Sequence, residues 1–399
     1  MATIRPFRAL RPVPERAHEV AAVPYDVVTT SEARDLASGH PASFLHVSRP
    51  EIDLPEGTDP HSDAVYRKGA ENFARLEREA PLVRETEPSV YLYRLRMGDH
   101  EQTGVAAAYS LDEYDSGVIR RHERTRRDKE DDRTRHMVTL GAQTGPVFLT
   151  YRSRDAIDAL VNAATREKLL YDFEAEDGVV HTMWRVGGRQ ASELVSEFER
   201  VPLLYIADGH HRAASASRAR SELAGKDRGD AADYFLAVAF PDTHLRILPY
   251  NRVVKDLGGS RTPEQFLAAL REKVVVSDSA PASPASRGEA SLYLDGKWYG
   301  LDLGEPAELD VTLLQDRILD PILGIRDIRT DPRIDFVGGG RGTAALERAV
   351  DEGRAVAAFS LFPVSIEDLM RIADADGIMP PKSTWFEPKL RDGLLIHEI

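Results

Sequence analysis

The chain contains no cysteine. That excludes disulfides, thiolate catalysis, iron–sulfur clusters and cysteine zinc sites outright. No apolar run approaches the length needed to cross a bilayer, so no membrane partner is expected. The opening stretch MATIRPFRALRPVPE lacks the apolar core of a secretory signal, which makes a cytoplasmic protein the expectation. Walker, GxSxG and HExxH motifs are all missing, and with them the commonest routes to a nucleotide, esterase or zinc-protease assignment. Positive charge is also in deficit. The formal net charge is −14, whereas a duplex nucleic-acid binder carries a basic surface. Residues 120–135 are locally basic but interleaved with acids, so nucleic acid is disfavoured as a partner.

At 399 residues the chain exceeds the usual size of a single core, and two lobes are expected. A hydrophobic content of 42% with 30% charged residues is ordinary for a globular protein.

The richest segment is VPLLYIADGHHRAASASRARSEL, residues 201–223. Residues 201–207 have the length and apolar continuity of a buried strand. Asp208-Gly209 breaks it, and His210-His211-Arg212 open a run of good helix formers. Two imidazoles and a guanidinium therefore stand at a helix start just past a core strand. Backbone N–H groups and the positive end of the helix dipole gather there and favour anions. Gly209 can take φ > 0 and lets a ligand approach the backbone. The competing reading is plain: Asp208 caps the helix, both histidines are solvated, and Arg212 pairs with an acidic neighbour. The position at the carboxyl end of a strand, where α/β proteins place ligands, favours a phosphate-binding turn.

Elsewhere the pattern alternates strands and helices. Pro24-Tyr25-Asp26 makes a turn before a helix capped within Thr29-Thr30-Ser31 and ending at Ala37. Residues 41–47 read as a strand, 64–79 as an amphipathic helix, and 90–110 as a hairpin turning at Gly98-Asp99. Residues 112–140 are strongly charged with alternating sign, the mark of a solvated helix face or a surface loop. A strand at 145–151 precedes a helix at 156–170. Residues 277–290 form a Ser/Pro/Ala-rich linker or loop. Residues 291–303 form a hairpin turning at Asp295-Gly296. No internal repeat is present, and the mixture argues for α+β or mixed α/β architecture. The expected organisation is a main lobe over 1–276 carrying the DGHHR turn, the 277–290 linker, and a C-terminal α+β lobe over 291–399 packing on that core.

Several further clusters carry chemistry. Arg121-His122-Glu123-Arg124-Thr125, followed by Lys129, Asp132 and Arg133, offers cations to clamp phosphate oxygens and Glu123 to take a proton or hold a metal. A salt-bridged exposed helix is the alternative. Asp26 reads either as a helix cap or as a ligand-facing acid. Gly338-Gly339-Gly340-Arg341-Gly342 resembles a crude phosphate cradle, or marks a mobile loop. Lys382-Ser383-Thr384 and Lys389 surround Trp385-Phe386, in a segment that closes over a ligand or anchors the tail.

The order PYDV (24–27), RHERT with KEDDR (121–133), YIADGHHR (205–212) and PPKSTWFEPK (380–389) resembles the domain-of-unknown-function 1015 family over nearly the whole chain. One departure is Asn251 in LPYNR, where many relatives are expected to carry His; the role of that His would be lost here or moved to His244. The DGHHR turn is also similar to the phosphate-binding corner of ParB-like proteins, sulfiredoxins and free-serine kinases. That resemblance implies a ParB-like nucleotide-binding core elaborated by further strands and helices. It makes Gly209, His210, His211 and Arg212 the nucleotide-phosphate residues, with Asp208 orienting the turn or meeting a metal. The reaction implied is phosphoryl transfer from ATP or ADP to a small hydroxylated metabolite, free serine leading. Such transfer needs positioning and charge neutralisation. Arg212, Arg121 and Lys129 would supply positive charge, Mg²⁺ would be held through a few carboxylates and water, and Glu123 or Asp26 would be the base. Sulfiredoxin chemistry is excluded with the cysteine. The alternative is a ParB-like nucleotide switch without small-molecule kinase activity. The sequence leaves a homodimer open.

Overall fold

A computed structural model describes residues 1–79, 82–225, 229–304 and 308–399. It is a mixed α/β protein, as the alternation of patterns predicts, and it divides into two compact units. The first comprises Met1–Leu245 together with Pro388–Ile399, and the second Arg246–Glu387. The unit boundary therefore falls upstream of residue 276, and the tail after Glu387 returns to the first unit. Residues 277–290 lie within the second unit, mostly as irregular chain between two strands.

The first unit is built on a nine-stranded sheet. Its strands are β1 (Ile4–Arg5), β2 (Val90–Met97), β3 (His100–Ser110), β4 (Ile119–Arg120), β5 (Val147–Tyr151), β6 (Leu169–Glu174), β7 (Val180–Val186), β8 (Leu204–Asp208) and β9 (Tyr234–Pro241). They run in the order β4-β8-β5-β9-β3-β2-β7-β6, with β1 also paired to β3. β4 with β8 and β5 with β9 are parallel; the other pairs are antiparallel. The hairpin expected at Gly98-Asp99 is present, with Met97 opposite His100 and Gly98 at φ 59°.

Six helices of this unit frame the sheet and its turns: α1 (Thr30–Ala37), α2 (Asp63–Glu79), α3 (Arg127–Leu140), α4 (Asp155–Ala164), α5 (Gly188–Phe198) and α6 (His210–Leu223). α1 begins in a full capping box: the Glu32 amide donates to Thr29 Oγ1 and the Thr29 amide to Glu32. α6 lies close on the sheet because its inner face is small. Ala213, Ala216 and Ala219 are buried with Leu204 and Ile206 of β8 in the main core. α3 is less solvated than its charges predict. Asp132, Thr134, His136 and Met137 are buried, and Ser215 of α6 donates its hydroxyl to the Glu130 carbonyl.

Two expectations need correction. Residues 41–47 are a turn leading into the short helix Leu45–Ser48, with Phe44 fully buried against Phe73. A short apolar run fits either element by periodicity alone, and burial on all sides is what it encoded. The helix expected over 156–170 stops at Ala164, and Leu169 already belongs to β6.

The tail is woven into the first unit at three places. Asp392 bridges to Ala22, Ile396 to Leu10, and His397–Glu398 pairs with Ala142–Gln143.

The second unit holds a six-stranded antiparallel sheet: β10 (Tyr250–Val254), β11 (Val275–Ser277), β12 (Glu289–Leu294), β13 (Lys297–Asp302), β14 (Ile334–Gly338) and β15 (Ala357–Leu361), in the order β11-β13-β12-β15-β10-β14. Asp295 and Gly296 both have φ > 0, as a type I′ hairpin requires. The glycines at 338–340 do not form a cradle. A Cβ on Gly338 would lie 2.6 Å from the Trp385 ring, and one on Gly339 2.7 Å from Leu248 and the Pro249 carbonyl, so these glycines make room for the chain's own packing. Buried Asn251 accepts the Leu361 amide through Oδ1, a structural use of the residue in place of the expected His.

Gly104 of β3 has no room for a side chain: a Cβ would meet Phe240 and Val238 at 2.8 Å and the Ala239 carbonyl at 2.9 Å. Gly104→Ala is expected to cost about 1–3 kcal/mol of unfolding free energy in a urea titration. An unchanged midpoint would show that the sheet yields freely there.

Candidate functional site

The site grows from the end of β8. The strand pairs with β5 until a register shift between Ile206 and Asp208. Such an irregularity bends a strand and re-aims the residue after it. Here that residue is Asp208, whose Oδ1 accepts the amide of Gly209. Gly209 then takes φ 94°, a left-handed conformation that only glycine adopts cheaply, and α6 starts at His210 with no side chain capping it. A strand, a turn and a helix are present where expected, the strand running Leu204–Asp208 and the helix starting at His210.

Arg212 folds back beneath this turn. It is buried, its Nη1 donates to the Pro146 carbonyl, and its Nη2 lies 3.9 Å from Asp208. Its Nε has no hydrogen-bond partner among the described residues. A Cβ on Gly209 would sit 3.0 Å from the guanidinium. Burial opposes the positive charge, but Asp26, Asp208 and Asp392 outweigh it and keep the group ionised. Asp208 is held in turn by Lys389, whose Nζ is 2.9 Å from Oδ2. Burial alone would raise the Asp208 carboxyl; Lys389 and Arg212 override it and hold the group well below the usual carboxylate range.

The RHERT segment converges on the same turn. The His122 ring meets the His210 ring edge to face at 4.4 Å, and the His122 amide donates to His210 Nε2 at 3.5 Å. Both imidazoles are buried. Burial pushes His122 down to about 4 and His210 well below its ordinary value, so both are neutral at physiological pH. The Ile206 backbone and Asp208 offset the burial of His122, but among the described residues neither of its ring nitrogens has a hydrogen-bond partner. Glu123 stands beside them, half-buried.

The other candidate residues are more dispersed. Asp26 is exposed, with its charge felt by Arg212 and Asp392. Arg121 is exposed and stacks its guanidinium 5.0 Å over the Tyr114 ring, yet its charge still acts on His210. His211 and Lys129 are half-buried at the starts of α6 and α3. Tyr25 of the PYDV turn is buried under Arg133, whose guanidinium lies 4.2 Å from the ring centroid.

Sequence reasoning missed Asp392. Its carboxylate is buried, Oδ1 has no hydrogen-bond partner among the described residues, and a Cβ on Gly145 would come within 2.6 Å of that oxygen. Burial raises this carboxyl to about 7, with Arg212 pulling it down and Asp26 pushing it up. No motif marks it. The weak signal available was an Asp-Gly pair inside an otherwise apolar tail segment, LRDGLLI.

These parts define a mixed α/β protein with a strand–turn–helix corner enclosed by histidines and carboxylates. The profile of the family described as protein of unknown function (DUF1015) matches residues 4–320, and the chain belongs to that family. No curated protein matches it. Among solved structures, a free serine kinase in complex with AMP is 14% identical, covers 72% of this chain and 91% of its own, and has a TM-score of 0.38. A conserved hypothetical protein from Pyrococcus furiosus is 15% identical over 73% and 94%, with a TM-score of 0.36. C-terminally truncated SbnI from Staphylococcus aureus is 10% identical over 72% and 85%, with a TM-score of 0.38. Among the described residues, no helix is long and apolar enough to cross a membrane.

This geometry makes two outcomes testable. Gly209→Ala would force a side chain into left-handed backbone and against Arg212, and should cost about 1–3 kcal/mol of stability; an unperturbed thermal midpoint would contradict it. Asp392 sets a pH dependence. Unfolded, it ionises at about pH 4; folded, it keeps its proton up to about 7. Between those values the folded state binds the extra proton, so this group's contribution to stability falls as pH rises through the window. Asp392→Asn has no proton to lose, and its thermal midpoint should gain on the wild type progressively from about pH 4 to above pH 7. Parallel midpoint-against-pH curves for the two proteins would refute this.

Proposed function

We propose that the protein is a nucleotide-dependent phosphotransferase acting on the hydroxyl of a small metabolite, with free serine the leading acceptor and ATP or ADP the donor. The observation that carries this reading is the buried Arg212 Nε, left without a partner among the described residues beside left-handed Gly209 at the uncapped start of α6. A phosphate oxygen at the helix start accepts from that nitrogen, and the helix dipole favours its charge. The residues present therefore fit a nucleotide phosphate. Gly209, His210, His211 and Arg212 hold it, and Arg121 and Lys129 add positive charge nearby.

In the transfer the terminal P–O bond of the nucleotide breaks and a new one forms to the acceptor oxygen. The acceptor's proton passes to a carboxylate. Asp208 is poorly suited to take it, because Lys389 and Arg212 stabilise its ionised form so strongly. Its task is to fix Lys389 and the turn. Asp26 is the better base, being exposed at the PYDV turn, with Glu123 the second candidate. Mg²⁺ bound with the nucleotide, through a few carboxylates and water, would neutralise its phosphates.

Purified protein incubated with Mg-ATP or Mg-ADP and a panel of hydroxy amino acids should yield the O-phosphorylated product, read by phosphorus NMR, with serine the best acceptor. Asp26→Asn should lower kcat by about 10²–10⁴-fold while nucleotide affinity stays within a few-fold. Absence of any phosphorylated product, together with no nucleotide protection against thermal unfolding, would overturn the reading.

A further inference from the structure

The turn also carries a cluster of side-chain ligand atoms, of which only His210 belongs to the proposed phosphate set. One ligand atom each from His122, Glu123 and His210 lie within 4.8 Å of one another. His122 and Glu123 are adjacent on the strap after β4, and His210 opens α6, so two independent elements supply the set. His122 is 2% exposed and neither ring nitrogen has a hydrogen-bond partner among the described residues. A buried polar ring without partners costs free energy that a ligand recovers. His210 Nε2 receives the His122 amide at 3.5 Å, a long contact that commits its lone pair only lightly.

We infer that His122, Glu123 and His210 form a binding site for a divalent first-row transition cation of the Zn²⁺ or Co²⁺ class, distinct from the Mg²⁺ that accompanies a nucleotide. The donor chemistry decides the class. Two imidazoles and one carboxylate suit zinc and its neighbours, whereas Mg²⁺ prefers carboxylates, phosphates and water. Three protein ligands leave a position open for water or a substrate oxygen, the pattern of a reactive and not a purely structural site. Ligand distances of about 2.0–2.1 Å around zinc place donors roughly 3.4 Å apart in a tetrahedral shell. The three atoms must therefore close by about an ångström or so, a movement within reach of side-chain rotation. The assignment does not rest on the kinase reading, but it sharpens it. With Glu123 committed to the cation, Asp26 remains as the base.

The test uses the full chain, stripped with a chelator and titrated with Co²⁺ in the absence of nucleotide. The wild type should bind Co²⁺ with the visible absorption of a low-coordinate complex, Zn²⁺ should abolish it, and a large excess of Mg²⁺ should not. Glu123→Gln and His122→Ala should each weaken Co²⁺ binding at least tenfold. Should His122→Ala fail to fold by circular dichroism, half-buried Glu123→Gln carries the test alone. The chain has 12 histidines, so adventitious binding is the rival outcome. A spectrum of hexaaqua Co²⁺, displacement by Mg²⁺, or affinity unaltered in the variants would overturn the site. Nucleotide protection of the stripped protein, measured separately, reports on the phosphate turn and not on this cation.

Discussion

A single buried guanidinium organises the first unit. Arg212 carries its charge into the interior, where an uncompensated cation would cost several kcal/mol. Two carboxylates from distant parts of the sequence offset it, Asp26 from the PYDV turn and Asp208 from the end of β8, and Asp392 from the returning tail joins them once it ionises above about pH 7. Each has its own environment. Asp26 is exposed, Asp208 is neutralised by Lys389, and Asp392 is buried deeply enough to keep a proton to about pH 7. Asp208 and Asp392 are thus driven apart, the first held ionised by Lys389 and Arg212, the second held protonated by burial. Groups that titrate apart in this way are the raw material of acid–base chemistry.

The backbone supports that charge cluster. The register shift late in β8 re-aims Asp208, which still pairs with Phe148, and left-handed Gly209 lets α6 start at once. The alanine face of α6 then brings the helix down onto the sheet, which keeps Arg212 under the turn and His210 against His122. Small side chains and one positive φ therefore place the donors of the turn.

Local chemistry was legible in the sequence where a single segment encodes it. The VPLLYIADGHHR strand and turn, an N-cap within residues 29–31, and the hairpins at Gly98-Asp99 and Asp295-Gly296 follow from patterning and turn stereochemistry. The convergence of RHERT on DGHHR was suggested by shared chemistry, and the His122–His210 contact bears on it directly. What could not be read were properties that exist only after packing. Nothing in LRDGLLI announces a carboxyl held protonated, because its pKa depends on Arg212 and on burial supplied by other segments. The pairing of Lys389 with Asp208 joins residues far apart in sequence. The run at 41–47 is apolar enough for either element, and only its enclosure by α2 and the returning tail decided for a turn and helix.

The return of the tail also has a consequence for the order of events during synthesis. Lys389 and Asp392 are translated after the whole of the second unit, which interrupts the first between Leu245 and Pro388. On the ribosome the DGHHR turn therefore emerges early and waits, with Arg212 short of one carboxylate and Asp208 short of its lysine. The inserted unit, contiguous in sequence and carrying its own sheet, can close before its host does. A nascent chain halted anywhere in that insertion would hold a nearly finished sheet around an electrostatically unfinished centre. Assembly of the site is thus timed by the far end of an insertion that supplies none of these charges.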